Sequence, residues 1–366
     1  MMTTTDIGVT GSFHTMTFHG RLVATSSSLE SAASVVVRRS GLTAGTYPVS
    51  QTAVQKESLD PYSGAGTTRE DAMSTANWVM AGPDRLRERA NRGLRDAMGL
   101  TQDPPPPCND PTESYLAVDG VARLVHGDLP AMLIGGIASL FFEMLHPHTM
   151  AGVAQHSRYQ DDALGRVLQT ANFIGATTYG SRPTAHAAIE RVLAVHQGVR
   201  GIADDGIAYY ANDPHLLAWV HDAGTSMFLR SYQRFGATKL SDADSNQYVA
   251  EVSNVARDLG CERPPRSVNE LSRAIEDFRP ELRLSADGAI ARDFVARGVS
   301  ESSRQRVAYR LLVASAYDLL QPWARELLAV PTRSAFHQVI ERPVTRALTS
   351  ALRFVVPPPS RVTSQS

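Results

Sequence analysis

The chain is poor in cysteine, in net charge and in long apolar runs, and each shortage excludes a class of protein. Two cysteines in 366 residues, Cys108 and Cys261, allow neither a disulfide framework nor a cysteine-based zinc site. With 36 Lys+Arg against 37 Asp+Glu the formal charge is −1, so the basic excess of a dedicated nucleic-acid binder is missing. The composition also excludes collagen-like, coiled-coil and wholly disordered chains. The most apolar segment, Leu129 to Leu145 (LPAMLIGGIASLFFEML), lies at the short limit for crossing hydrocarbon, carries Glu143 and runs into His146-Pro147. It reads as a buried core helix, and no clear membrane span is expected. Residues 1–20 hold no apolar run of a secretory signal, and Arg38-Arg39 is followed by SGLTAGTYPVS where an export signal needs an apolar core. P-loop, GxGxxG, HExxH and GxSxG motifs are absent too. What is left is a globular protein expected in the reducing cytoplasm.

What is present reads as helix. Residues 1–75 are rich in Ser, Thr and Gly without sustained periodicity, and are expected to form a disordered arm that buries too little apolar surface to offset its entropy. Residues 76–114 read as a short charged helix (PDRLRERANRGLRDAMG, 83–99) and a stiff Pro-rich linker (TQDPPPPCNDP, 101–111). Residues 115–330 carry helical periodicity nearly throughout, and residues 331–366 read as a C-terminal helix and an unstructured tail. No strand-like alternation of useful length interrupts the core. The expected fold is all-α, a single helical domain.

Several helix boundaries are written in local chemistry. Asp213-Pro214 is an N-cap followed by proline at the position that needs no amide hydrogen. The helix it opens places Leu217, Val220, His221, Gly224 and Phe228 along one stripe. Ser241 and Asp244 have the spacing of a capping box, and that helix ends at Gly260. Gly135-Gly136, inside the apolar helix, permits close approach of a neighbouring helix.

Histidine is the feature that suggests chemistry: His146, His148, His156, His186, His196, His215 and His221 fall within 76 residues, and imidazole is the commonest metal ligand. His196 follows Val192, Leu193 and Val195 on an apolar helix, with Arg200 four residues later. His221 sits on the stripe just described. Arg166 and Thr170, at i and i+4, share a face of a largely apolar helix, which turns Arg166 toward a partly buried polar site.

With these residues in view, the segment from about residue 127 to 259 resembles the bacterial and fungal oxygenases grouped with the mycophenolic-acid-pathway cleavage enzyme, which are distantly similar to the latex-clearing rubber oxygenases. The resemblance is carried by HPHTMAGVAQHS (146–157), RVLQT (166–170), VHQGVRG (195–201), DPHLLAWVH (213–221) and SYQRF…LS…QYVAEV (231–252), in that order. It implies a globin-like helical core that binds haem b through one axial histidine, with dioxygen on the opposite side. Arg166 and Thr170 match the Arg-x-x-Lys-Thr motif of the distal side. His196, Val199 and Arg200 match the His-x-x-Val-Arg context of the axial ligand. His196 is therefore expected to hold the iron, with His221 as the second choice, and Arg200 to pair with a haem propionate. Arg166 is expected to assist bound oxygen, with Thr170 orienting it. The apolar helix 129–145 would wall a pocket for an apolar small molecule, isoprenoid, lipid-like or aromatic. Gln169 replaces the motif's lysine, and the glutamate base of rubber cleavage has no securely placed counterpart, two departures that weigh against rubber-type chain cleavage. Two other readings stay open: a non-haem metal enzyme using His146, His148 and His156, and a helical binding or scaffold protein without turnover.

Overall fold

Side chains that accept from otherwise unpaired first-turn amides mark most of the helix starts in this chain, though not those at Val121 and Pro322. The computed structural model describes residues 106–298, 303–330 and 335–358, with Arg89; the expected disordered arm, the charged helix 83–99 and the last residues of the tail fall outside this range. The helices are α1 (Val121–His126), α2 (Leu129–Glu143), α3 (Pro147–His156), α4 (Ala163–Tyr179) and α5 (Arg182–His196). They continue after a short hairpin as α6 (Pro214–Phe235), α7 (Asp242–Asp258), α8 (Val268–Phe278), α9 (Ala286–Arg297), α10 (Ser303–Tyr317), α11 (Pro322–Leu327) and α12 (Ala335–Val355). Asp213 caps α6 through the amide of His215, with Pro214 next. Ser241 and Asp244 form the reciprocal capping box of α7, and Gly260 takes φ +107° just beyond that helix, where a side chain would be strained. The fold is all-α apart from one two-stranded ladder.

That ladder is the departure from the sequence reading. Strands β1 (Arg200–Ile202) and β2 (Ala208–Tyr210) pair antiparallel around a turn with Gly206 at φ +80°. Three residues per strand are too few to show an alternating pattern. Arg200 thus starts a strand rather than continuing α5, which ends at His196.

At the centre α2 lies tightly along α6. Gly135 is the reason they approach: a Cβ there would stand 2.9 Å from the Phe228 ring and 3.2 Å from its Cα. Ser231 Oγ donates across the seam to the Ala131 carbonyl at 2.6 Å. Phe141, Phe142, Trp219, Met227, Tyr232 and Tyr248 are fully buried around this pair. α10 and α12 cover α2 from the other side, and α12 is locked by Arg353, which makes two 3.0 Å bonds to fully buried Asp128. Asp128 also caps α2 and accepts from the amide of Ala237.

α4 and α5 pack on each other as a hairpin. α4 reaches α1 and α5 reaches α7, but neither makes more than marginal contact with α2 or α6. From Gly165 to Ala176 no residue of α4 is buried. Among the described residues no single helix is long and apolar enough to cross a membrane; α2 and α3 pass that test only as a pair bent by 105°.

Candidate active site

The α4–α5 hairpin stands off from the α2–α6 pair, and the space between them, called the cleft below, is where the groups with chemistry gather. Glu143 on α2 and His221 on α6 are surrounded by protein on all sides, as is His126 on α1, yet each keeps some solvent-accessible surface. Each surrounding helix also leaves a large apolar side chain uncovered: Leu140 on α2 is 40% exposed, Val167 on α4 53%, Val195 on α5 63% and Val220 on α6 38%.

Glu143 is the group that sequence reasoning undervalued. It lies one turn beyond Ser139, whose hydroxyl donates to it, and opposite the bare backbone of Gly224, where a Cβ would stand 4.0 Å from Glu143 Oε1. Burial pushes its pKa up to about 7, against the opposing pull of the Ser139 bond and the positive charge of Arg166. The available signal was a lone acid on the Gly136–Leu140–Glu143 stripe of an otherwise apolar helix. His221 is held neutral by burial, its pKa lowered to about 4, and its Nε2 lies 3.4 Å from Thr225 Oγ1. His126 is similarly lowered, and both its nitrogens are engaged, with Thr178 at 2.8 Å and Tyr248 at 3.0 Å.

His196 ends α5, and the β hairpin that follows brings Asn212 back to it. Ala211 donates to the Val199 carbonyl, and Asn212 Nδ2 donates to the Leu193 carbonyl at 3.1 Å, orienting the amide beside the last turn of α5. Burial lowers the His196 pKa; the Asn212 side chain opposes this as a hydrogen-bond partner would, and the charge of Arg166 adds to it. Yet neither His196 Nδ1 nor Asn212 Oδ1, both buried, completes a bond of full geometry. A buried ring nitrogen and a buried amide oxygen on neighbouring residues are thus both left unsatisfied. No local pattern pointed to Asn212, because only the hairpin places it there.

The remaining expected residues fall differently. Arg166 is exposed, yet its charge is felt by both Glu143 and His196, so it lies near the two. Thr170 directs its hydroxyl to the Arg166 carbonyl at 3.2 Å rather than to the guanidinium. Arg200 is exposed on β1, its carbonyl 3.2 Å from His156 Nε2. His146, His148 and His156 do not gather into one ligand set: His148 pairs with Asp205 at 2.9 Å, and the described group with metal-ligating geometry joins His146 instead to His215 and Glu281.

Residues 123–354 match the family model described as "ER-bound oxygenase mpaB/B'/Rubber oxygenase, catalytic domain". No curated protein matches the chain. No solved structure matches it either.

Proposed function

Since the chain belongs to this family of oxygenase catalytic domains, we propose that it is a haem b-dependent oxygenase acting with dioxygen on an apolar small molecule, with His196 as the iron ligand. The observation that carries the reading is the His196–Asn212 arrangement. An axial imidazole needs a free ring nitrogen toward the metal and an acceptor behind the other to hold the tautomer. Asn212 Oδ1, a buried acceptor with no other partner, would serve that role for the equally unsatisfied His196 Nδ1, and no hydrogen bond engages His196 Nε2 among the described residues. His221 is the weaker donor because its Nε2 is turned to Thr225.

Haem would supply the redox-active iron that activates dioxygen. The chain's own residues do the rest. Glu143, with a pKa near neutrality, is able both to take and to give a proton within the cleft. Arg166 sets a fixed positive charge near Glu143 and His196, where it stabilises developing negative charge. Arg200 makes no ion pair among the described residues, which leaves its guanidinium available for a carboxylate at the rim. The uncovered Leu140, Val167, Val195 and Val220 offer an isoprenoid, lipid-like or aromatic substrate the apolar contacts it needs.

His196→Ala tests the reading. The variant is expected to lose haem while its circular dichroism stays helical; full haem retention with an unchanged iron spectrum would assign the ligand elsewhere.

A further inference from the structure

A second cluster lies outside the cleft. His146 stands at the N-cap of α3, His215 in the first turn of α6, and Glu281 at the end of the 3-10 turn Arg279–Glu281 that follows α8. These three segments are distant in sequence, yet their ligand atoms all lie within 4.8 Å of one another. Glu281 Oε2 is 2.8 Å from His215 Nε2 and 3.5 Å from His146 Nε2. Ligands on a tetrahedral ion with bonds near 2.0–2.1 Å sit about 3.3 Å apart, so an ion needs the His215–Glu281 contact to open slightly and the three ligand atoms, within 4.8 Å of one another, to draw in around it. Both of those side chains are exposed and able to give.

A buried orphan points to a ligand here. His146 is 1% exposed, and its Nε2, turned toward Glu281, has no hydrogen-bond partner of full geometry. Thr149 Oγ1 is buried without a partner as well. The other ring nitrogen of His146, Nδ1, accepts from the Thr149 amide at 3.5 Å, the outer limit of a hydrogen bond. An imidazole that gives its Nε2 lone pair to a metal carries its proton on Nδ1 and needs an acceptor there. A metal at Nε2 therefore exchanges the long Nδ1 bond to the Thr149 amide, at the outer limit of length, for a far stronger bond at the other nitrogen. Neighbouring His148 is already committed to Asp205, which is itself tied to Arg283.

We propose that His146 Nε2, His215 Nε2 and a Glu281 carboxylate oxygen bind one divalent first-row transition ion of the zinc type, with water completing its coordination. Two imidazoles with one carboxylate suit such an ion and not calcium or magnesium, which take oxygen ligands. The ion would clamp the starts of α3 and α6 to the turn after α8. The inference does not depend on haem at His196.

The test uses the untagged full chain as purified, stripped of adventitious metal with chelator, and titrated with zinc chloride by calorimetry with a parallel thermal melt. One saturable equivalent and a rise in Tm are expected. Glu281→Gln and His215→Ala change exposed side chains and keep the helical dichroism; each is expected to weaken zinc binding at least about tenfold and to remove the Tm rise. His148→Ala is expected to bind as the parent does. No saturable binding, or equal binding by the parent, Glu281→Gln and His215→Ala, overturns the site. Haem content recorded on the same samples keeps this outcome separate from the fate of the oxygenase reading.

Discussion

Glu143→Gln turns the buried acid of the cleft into a measurable pH dependence. Burial raises the Glu143 pKa from an ordinary 4.5 to about 7, so the folded state binds a proton more tightly than the unfolded chain does. Below pH 4.5 the carboxyl is protonated in both states and imposes no penalty. As pH rises toward 7 the unfolded chain releases its proton first, and stability is lost until the folded group also ionises. At about 1.4 kcal/mol per pKa unit the accumulated loss is about 3 kcal/mol, complete above pH 7. Glutamine keeps the shape and an oxygen to accept from Ser139, but never ionises. Urea unfolding followed by helical dichroism should therefore find the variant equal to the parent near pH 4 and more stable by about 3 kcal/mol at pH 8. Arg166→Ala removes a charge that favours the ionised carboxyl, so in that background the window of loss should begin at the same pH and extend further upward. A stability difference that stays flat from pH 4 to 8, or a variant less stable than the parent at pH 8, would refute the reasoning.

Two more outcomes follow from buried polar groups. Asn212→Leu should retain haem but leave the His196 Nδ1 proton without an acceptor, lowering the iron–histidine stretching frequency and raising the reduction potential; an unchanged spectrum and potential would show that Asn212 does not orient the ligand. Asp128→Ala should cost about 3–5 kcal/mol in urea unfolding, because it strips Arg353 of its partner in a largely buried site and uncaps α2; a loss below about 1 kcal/mol would mean that the α12 lock contributes little.

The reading of α6 shows where sequence periodicity reaches its limit. Its cap, its proline and its length were legible, because they depend on neighbours within a turn. The stripe Leu217–Val220–His221–Gly224–Phe228 was legible as a pattern but not as a single surface. Leu217 packs into a separate cluster with Ala256 and Cys261, Val220 stays uncovered, His221 is half-buried, and buried Gly224 packs against Ser139 and Glu143 of α2. The side of α6 that forms the main core carries Trp219, Ala223 and Met227. A helix wrapped by neighbours on several sides has more than one apolar face, and spacing alone does not say which face is filled.

By itself the sequence determined the all-α class, the helix starts at Asp213 and Ser241, the stop at Gly260, the close-packing role of Gly135 and the order of motifs that marks the family. Each of these rests on interactions a few residues long or on residue type at a given place in the chain. Only the tertiary structure decided that Glu143 is a buried acid poised near neutrality, that Asn212 returns to His196, and that His146, His215 and Glu281 meet. Burial and long-range juxtaposition set the charge state of a group and the partner it can reach, and neither exists until the helices have packed.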